Sequence, residues 1–404
     1  MIAKGQSIHW YPLLLTMMTQ AMATMAAYSL STAAPAIAID FAVESEDIAQ
    51  LVSVVYLVGI LSALIVPPFV KRFGGITVSM GIVLVTSLML LTIANSYRFE
   101  GLILGAAILG LLYGATAPSS SYVLTRITHP SQRNFVFSIR QIGVPLGGIM
   151  GGFLIPPLLL FGDWRLVFWV EMVVVLSLFL GLAMIRRHYD KDLVKGEALI
   201  GLGPLFRMLT ILLTQRSIQP LLFACFVFSG IQLCFAAFTV THIVRVFGPE
   251  MFVFASAVAL VCFQVGGIVA RFVLGILADK FFTAHQILIV LGLLMALAGV
   301  VAAHIQADWP LFFVAANATL AGISASGYTG LAFAEMARLG GANQTAEITG
   351  LGAAIMFLGV AIVTPIFRWG VELTQGYYAS YLGVTAIALV AVALLVICRD
   401  DENS

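Results

Sequence analysis

The stretch Arg271-Phe-Val-Leu-Gly275-Ile-Leu-Ala-Asp279-Lys280 ends a long apolar segment. On a helix, positions four apart lie on one face, so Arg271, Gly275 and Asp279 form one stripe that runs from the apolar segment toward water. The glycine allows a neighbouring helix to approach closely. The aspartate can accept N–H groups at a helix end or pair with a cation. The stretch therefore predicts a membrane helix that ends in a tightly packed polar loop.

A related stretch ends another apolar segment about half the chain earlier. This stretch is Pro67-x-x-x-Lys71-Arg72-Phe73-Gly74-Gly75 and contains Arg-Phe-Gly. At the positions that match Gly275 and Asp279 it has proline and lysine. The pair resembles the loop signature that follows the second and eighth helices of the major facilitator superfamily, although the second copy lacks the later Gly-Arg pair. The resemblance implies two six-helix bundles that rock around a central cavity.

The composition indicates the fold class and excludes several functions. The chain has 404 residues, of which 61% are hydrophobic and 10% charged, whereas soluble proteins carry about 25% charged residues. We therefore expect an all-α polytopic membrane protein. A net charge of +1 gives no reason to expect a nucleic-acid partner. No Cys-x-x-Cys pair, metal-ligand spacing, phosphate-binding loop or nucleophile elbow occurs, so we expect neither a cofactor nor an enzyme.

A bilayer core needs about 20 apolar residues per helix. The stretches that fit number twelve: 11–38, 47–68, 76–95, 101–125, 135–160, 164–185, 218–246, 251–276, 284–304, 310–336, 345–368 and 376–398. The longest polar break predicts an N-terminal bundle over 1–185, a cytoplasmic linker over 186–217 and a C-terminal bundle over 218–404. The linker is basic and partly apolar, which favours a surface helix on the membrane over Gly201–Pro204 and Leu205–Leu213.

The distribution of basic residues predicts the orientation, because cytoplasmic loops carry an excess of Lys and Arg. With both termini in the cytoplasm, the external members of the twenty Lys and Arg residues are four: Arg98, Arg165, Arg245 and Arg368. This bias supports the count of twelve, since one missed helix would invert every later loop. We expect a multi-pass, monomeric protein of the bacterial inner membrane.

Arg140 lies about five residues into the fifth span, beside Gln141. The glycines Gly143, Gly147 and Gly151 recur every four residues and make a smooth face for close helix packing. Because Arg140 lies near that face, we expect it to point toward protein rather than lipid. It either binds an anion together with Gln141, or it braces the loop near the cytoplasmic surface.

Arg271 is the second arginine within a span, and Gln264 lies seven residues earlier on the same face. In the superfamily the fifth and eighth helices meet, which implies that Arg140 and Arg271 face one cavity. The position of Arg271 is similar to that of the carboxylate-binding arginine of the monocarboxylate and oxalate–formate branch. That branch often has an acid where this chain has Gly267. The alternative, common across the superfamily, is that Arg271 braces the signature loop through Asp279.

Glu171 is the only acid well inside a span, and such a group is a candidate for proton coupling. The alternative is a neutral acid that hydrogen-bonds a neighbouring helix. At the cytoplasmic surface, Glu335 and Arg338 end the tenth span and Glu347 begins the eleventh, which predicts a gating or bracing network of ion pairs.

Other polar groups lie at mid-membrane depth, and each needs a partner in the protein or a wet cavity. The candidates for lining a substrate cavity are Gln20, Tyr28, Tyr56, Tyr113, Gln232, Gln264, Asn317 and Tyr328. Any one of them is as well explained by a helix–helix hydrogen bond. His242 and Arg245 share a face near the outer end of the seventh span, where they either attract anions or lie at the interface.

These observations predict a secondary active transporter of a small organic solute. The solute is expected to be a carboxylate anion that moves by alternating access, either with protons or in exchange for another anion. The first alternative is a proton-driven exporter of drugs or amphipathic metabolites. The second is a membrane receptor on a transporter fold that does not transport, although such a protein would normally carry an appended soluble domain or long tail.

Overall fold

The computed structural model describes residues 8–191, 193–194, 199 and 202–397, and no strand occurs in that part of the chain. Within these described ranges, ten helical stretches are long and apolar enough to cross a bilayer, or eleven with the bent pair Gln50–Ile65 and Pro67–Phe73. One of the ten, Leu311–Thr374, has 64 residues, far more than one crossing needs. It is broken at Gly341, where φ is +54° and ψ is −163°. Counting the bent pair as one span and dividing Leu311–Thr374 at Gly341 gives twelve spans, the number predicted from the sequence.

We number the spans α1 to α12. The first six are α1 (Trp10–Thr32), α2 (Ser45–Ile65 and Pro67–Phe73), α3 (Gly75–Ala94), α4 (Phe99–Tyr113 and Thr116–Ile127), α5 (Arg133–Gln141 and Gly143–Phe161) and α6 (Trp164–Tyr189). The short helix Ala34–Phe41 follows α1 outside the span. The others are α7 (Gln219–Phe247), α8 (Phe252–Ala257, Val258–Val265 and Gly266–Lys280), α9 (Ala284–Ala303), α10 and α11 (Leu311–Ala321, Gly322–Ser326 and Gly327–Thr374, divided at Gly341) and α12 (Tyr378–Ile397). These bounds lie within a few residues of the predicted ones.

Several spans contain a break that needs a partner inside the protein, since lipid offers no hydrogen bonds. The prolines that begin Pro67–Phe73 bend α2 by 54°, because proline cannot continue the ladder of backbone hydrogen bonds. In α4, the Gly114 N–H at the break donates to Ser62 Oγ of α2 at 3.0 Å. The segments Val258–Val265 and Gly322–Ser326 are π-helical, a form that often marks functional positions.

The contacts group the described residues into two compact units. The first comprises those within Met1–Pro130, Ile139–Ile211 and Met336–Ala354, and the second those within Ser131–Ser138, Leu212–Glu335 and Ile355–Ser404. In the first unit α3 packs along α6, α2 along α4, and α1 along α5. In the second unit α9 packs along α12, and α8 contacts the π-helical segment of α10. The predicted domain bounds remain a prediction, because part of the 186–217 linker lies outside the described residues.

Glycines set the close approach of α1 and α5 within the first unit. A Cβ at Gly143 would collide with the Met17 carbonyl, and a Cβ at Gly147 with the Ala21 carbonyl. The glycine face predicted for α5 therefore contacts α1.

A helix at Leu202–Thr214, which we call the linker helix, follows α6. Met208 and Ile211 are buried, whereas Phe206, Leu209 and Leu213 are exposed on another face. A surface helix was predicted over Leu205–Leu213, and a helix is present there. Its contact with lipid remains a prediction, and Gly201 of the same prediction lies outside the described residues.

Candidate functional site

Arg140 is buried at the end of the first segment of α5. One terminal guanidinium nitrogen donates to Gln141 Oε1, and the other donates to the Thr116 carbonyl of α4. Nε has no hydrogen-bond partner. No carboxylate lies within ion-pair distance of Arg140 among the described residues. Arg140 and Gln141 are thus brought together as predicted, but Gln141 and Thr116 already occupy both terminal nitrogens.

A chain of hydroxyl and amide groups lies beside the Arg140 guanidinium in the first unit. Gln20 Nε2 donates to Thr24 Oγ1 at 3.0 Å, and Thr24 Oγ1 lies 3.3 Å from Tyr113 OH. The rings of Tyr56 and Tyr113 meet edge to face at 5.9 Å. Tyr56 also hydrogen-bonds Tyr28. The predicted site residues Tyr28 and Tyr113 therefore belong to one polar cluster, which can hydrogen-bond a solute.

Arg271 in α8 is completely buried within the second unit. Its Nε donates to Thr329 Oγ1 at 3.3 Å, and the terminal nitrogen NH1 has no partner. Tyr328 lies close enough to interact electrostatically with the guanidinium. Ser326 Oγ, at the end of the π-helical segment of α10, is also buried without a partner. No carboxylate pairs with Arg271 in the described part of the chain.

The backbone of α5 satisfies the signature aspartate Asp279. Its two carboxylate oxygens accept the N–H groups of Asn134 at 3.0 Å and Phe135 at 2.9 Å, at the start of α5. A Cβ at Gly275 would lie 2.9 Å from Phe135 Cα and 3.0 Å from Ser138 Cβ. The glycine is thus needed for close packing, and Asp279 caps a helix. The described contacts include no bond between Asp279 and Arg271.

The first signature loop carries an ion pair in place of that cap. Lys71 Nζ pairs with Glu347 Oε1 near the start of α11, and Arg207 of the linker helix lies 3.5 Å from the same oxygen. The side chains of Lys71 and Glu347 are only 12% and 5% exposed. The Lys71 carbonyl accepts the Val194 N–H at 3.0 Å. Lys71 therefore joins the end of α2 to α11 and to the segment that follows α6.

Gly74 and Asp190 complete the first loop. Gly74 has φ +94° and ψ +153°, a conformation that is almost restricted to glycine. Asp190 accepts the N–H groups of Ile76 at 3.0 Å and Thr77 at 2.7 Å, at the start of α3. Burial raises the pKa of Asp190, and its hydrogen bond with Thr77 opposes this rise. Arg72 is exposed and lies over the Phe73 ring.

Glu171 in α6 is fully buried within the first unit. Its Oε2 lies 2.7 Å from Ser29 Oγ of α1, and its Oε1 has no partner. Ser29 Oγ also lies 2.8 Å from the Met25 carbonyl oxygen. The carboxyl therefore contacts a neighbouring helix through a single hydroxyl group.

Asn317 lies in a different place from Arg271, in a small cavity between α7, α9, α10 and α12. Its Nδ2 donates to the Ala298 carbonyl at 3.3 Å, and its Oδ1 has no partner. His242 lines the same cavity and stacks on Tyr377 at 4.6 Å. Asn317 is thus brought together with His242, a grouping that the sequence did not predict.

The remaining predicted residues differ in their burial. Gln232 and Gln264 are half-buried, and neither makes a hydrogen bond to Arg271 among the described residues. Glu335 is buried, whereas Arg338 and Lys280 are exposed. Thr24, Ser29, Thr116 and Thr329 were missed, because hydroxyl residues are common in membrane helices and usually bond their own helix backbone.

Twelve apolar spans in the described residues, with the 64-residue stretch divided at Gly341, two related polar loops and buried polar clusters make up a polytopic membrane protein. In the described part of the chain, no group of three or more His, Cys, Asp or Glu side chains could hold a metal ion. A sequence model of the Major Facilitator Superfamily matches residues 16–364, and the chain belongs to that superfamily. A comparison with curated proteins found no match.

Solved transporter structures share this fold. The fucose:proton symporter FucP of E. coli aligns with a TM-score of 0.74 and 14% identity, over 96% of this chain and 98% of its own. The human organic anion transporter MFSD10 gives a TM-score of 0.71 and 14% identity, over 96% and 100%. The proton:xylose symporter XylE gives 0.75 and 12%, over 96% and 94%. At such low identity the likeness shows the fold alone.

Proposed function

We propose that this transporter moves a small organic carboxylate by alternating access, and that Arg271 binds the carboxylate. The observation that carries the proposal is the complete burial of Arg271 without an acidic partner. A buried charge is costly unless an opposite charge or several hydrogen bonds compensate it. The planar fork of a guanidinium matches a carboxylate with two parallel hydrogen bonds. An anionic solute would supply the compensation that the described residues do not.

Arg140 supports the proposal less directly. It is also buried without an acidic partner, but Gln141 and Thr116 occupy its terminal nitrogens. We propose that Arg140 is a second candidate for anion binding, within the first unit, and that its guanidinium becomes available only after Gln141 turns away. Tyr28 and Tyr113 of the same unit would then hydrogen-bond polar groups of a solute bound there. The likeness to the monocarboxylate and oxalate–formate branch agrees with this assignment and remains a proposal.

Proton coupling and exchange for another anion both remain compatible with this function. Of the structural neighbours, FucP and XylE are titled proton symporters of sugars, and MFSD10 is titled an organic anion transporter. The proposal therefore rests on the arginines rather than on the neighbours. The excess of Lys and Arg in one set of loops supports cytoplasmic termini in a bacterial inner membrane, and we propose a monomer.

The test is counterflow of labelled carboxylates into proteoliposomes, with xylose, fucose and a hydrophobic cation as comparison solutes. We expect saturable carboxylate uptake, and a KM about 10- to 100-fold higher in Arg271→Gln, since hydrogen bonds to charged groups contribute about 1.5–3 kcal/mol. Arg271→Lys keeps the charge but not the fork, so its KM should be intermediate. Arg98→Gln removes an exposed arginine and serves as the matched control. Uptake of only the sugars or the cation, or an unchanged KM in Arg271→Gln, would refute the assignment.

A further inference from the structure

The hydrogen bonds around Ser29 indicate where a proton lies. Ser29 Oγ is 2.8 Å from the Met25 carbonyl oxygen and 2.7 Å from Glu171 Oε2, and both distances are typical of O–H···O hydrogen bonds. A hydroxyl group has one proton to donate, and a carbonyl oxygen can only accept. The arrangement that gives both contacts a proton has Ser29 donating to Met25, as helical serines commonly do to the carbonyl four residues earlier. It can then only accept from Glu171, which requires a proton on Glu171 Oε2.

The surroundings of Glu171 also favour the neutral carboxyl group. The helices that pack against α6 are α1, α3 and the second segment of α5. The titratable groups on α1, α3, that segment and the short helix Ala34–Phe41 are the phenols of Tyr11 and Tyr28 and the carboxyl group of Asp40, and none is a cation. On α6 itself the titratable groups other than Glu171 lie near the two ends: Arg165, Arg186, Arg187, His188 and Tyr189. The nearest of these, Arg165, pairs with Asp40 at 2.8 Å and Asp163 at 2.9 Å.

An ionised Glu171 would thus be buried with one hydroxyl contact and no opposite charge. Burial of such a carboxylate carries a desolvation penalty that no nearby charge offsets. Loss of the proton therefore requires that water or a cation reach the carboxyl group, which means that α1 and α6 must separate around Ser29. Protonation and the packing of these two helices are consequently coupled.

We propose that Glu171 and Ser29 form the proton-binding site of this transporter. Glu171 is protonated in the conformation described here, and it transfers the proton from Oε2 to water when α1 moves away from α6. The proposal rests on the proposed transport function and specifies it, because it makes the proton the coupling ion. A purely structural acid would instead hold its proton throughout the transport cycle.

Glu171→Gln separates these two roles. The amide keeps the size of the side chain, and its NH₂ group can donate to Ser29 Oγ as the protonated acid does, but it cannot release a proton. We expect exchange of labelled for unlabelled solute at close to the wild-type rate, together with loss of uphill accumulation under an imposed pH gradient. Glu100→Gln removes an exposed acid and serves as the matched control. Wild-type accumulation in Glu171→Gln would overturn the proposal.

An infrared measurement tests the same site without any solute. With isotope-labelled glutamate, the wild-type protein at neutral pH should show the C=O band of a protonated carboxyl group, and Glu171→Gln should lack it. Ser29→Ala removes the acceptor and should shift the band. Absence of the band from the wild type would overturn the proposal whether or not the protein transports carboxylates. If the band is present and no carboxylate is transported, only the proposed substrate fails.

Discussion

Removal of Lys71 should destabilise the protein more than removal of its partner Glu347. Loss of one member of a buried ion pair costs about 3–5 kcal/mol, because the other charge remains buried. In Lys71→Ala the glutamate keeps Arg207 at 3.5 Å, but Arg207 is 49% exposed, and such a pair contributes at most about 1 kcal/mol. We therefore expect a loss of about 2–4 kcal/mol. In Glu347→Ala the flexible stem of Lys71 can carry the ammonium group to water, so the loss should be smaller.

Reversible unfolding in mixed detergent micelles would measure these losses as a double-mutant cycle. Lys71→Ala, Glu347→Ala and the double variant should give an interaction energy of about 1–3 kcal/mol. The pair Arg368–Glu372, whose side chains are 66% and 57% exposed, provides the matched cycle and should give about 0.3–0.5 kcal/mol. Additive losses at Lys71 and Glu347, or equal interaction energies in the two cycles, would refute the view that burial makes this pair strong.

Two further predictions concern the polar ends of the helices. Gly74→Ala should lower the free energy of unfolding by about 1–3 kcal/mol because of the backbone conformation at this position, and the new Cβ would also collide with Asp190. Gly152 lies within a helix and has open space around it, so the control Gly152→Ala should not lower the temperature of thermal unfolding. The Arg165 guanidinium holds the pKa of Asp40 below its ordinary value. The stability that Asp40 contributes is therefore fully present above the unfolded-state pKa of about 3.9. It is lost as the pH falls through the lower pKa of the folded state. The stability advantage over Asp40→Asn should therefore be small and constant near neutral pH and disappear in strong acid, and an unchanged advantage in acid would contradict this linkage.

The sequence predicts the positions of the spans well, because the bilayer sets the length of each apolar run. It does not predict the breaks within them. The gap between the two segments of α4 depends on Ser62, which lies in α2 and accepts the freed Gly114 N–H. The π-helical segment Val258–Val265 has no proline that could mark it. Such breaks depend on contacts between spans, which local patterns do not contain.

In the candidate site, too, the sequence reveals some residues and not others. Arg140, Arg271 and Glu171 could be found from sequence because a charged residue inside an apolar run is rare. Their partners Thr329 and Ser29 could not, because a serine or threonine in a membrane helix has no distinguishing pattern. The sequence also suggested that Arg271 pairs with its own signature loop. The described contacts instead join Arg271 to α10, which leaves one terminal nitrogen without a partner.

The first signature loop has a basic residue where the second has an acid, and an acid on a neighbouring helix pairs with it. In the second loop, the acid four residues after Gly275 accepts backbone N–H groups at the start of α5. In the first loop, the residue four after Pro67 is Lys71, and it meets Glu347 near the start of α11. At these matching positions, both loops therefore join the end of one helix to the beginning of another through a carboxylate, which either the loop or the partner helix contributes. Lys71 therefore connects α2 to a different helix and does not remove the connection. An acid at position 71 beside an unchanged Glu347 would bring two carboxylates together.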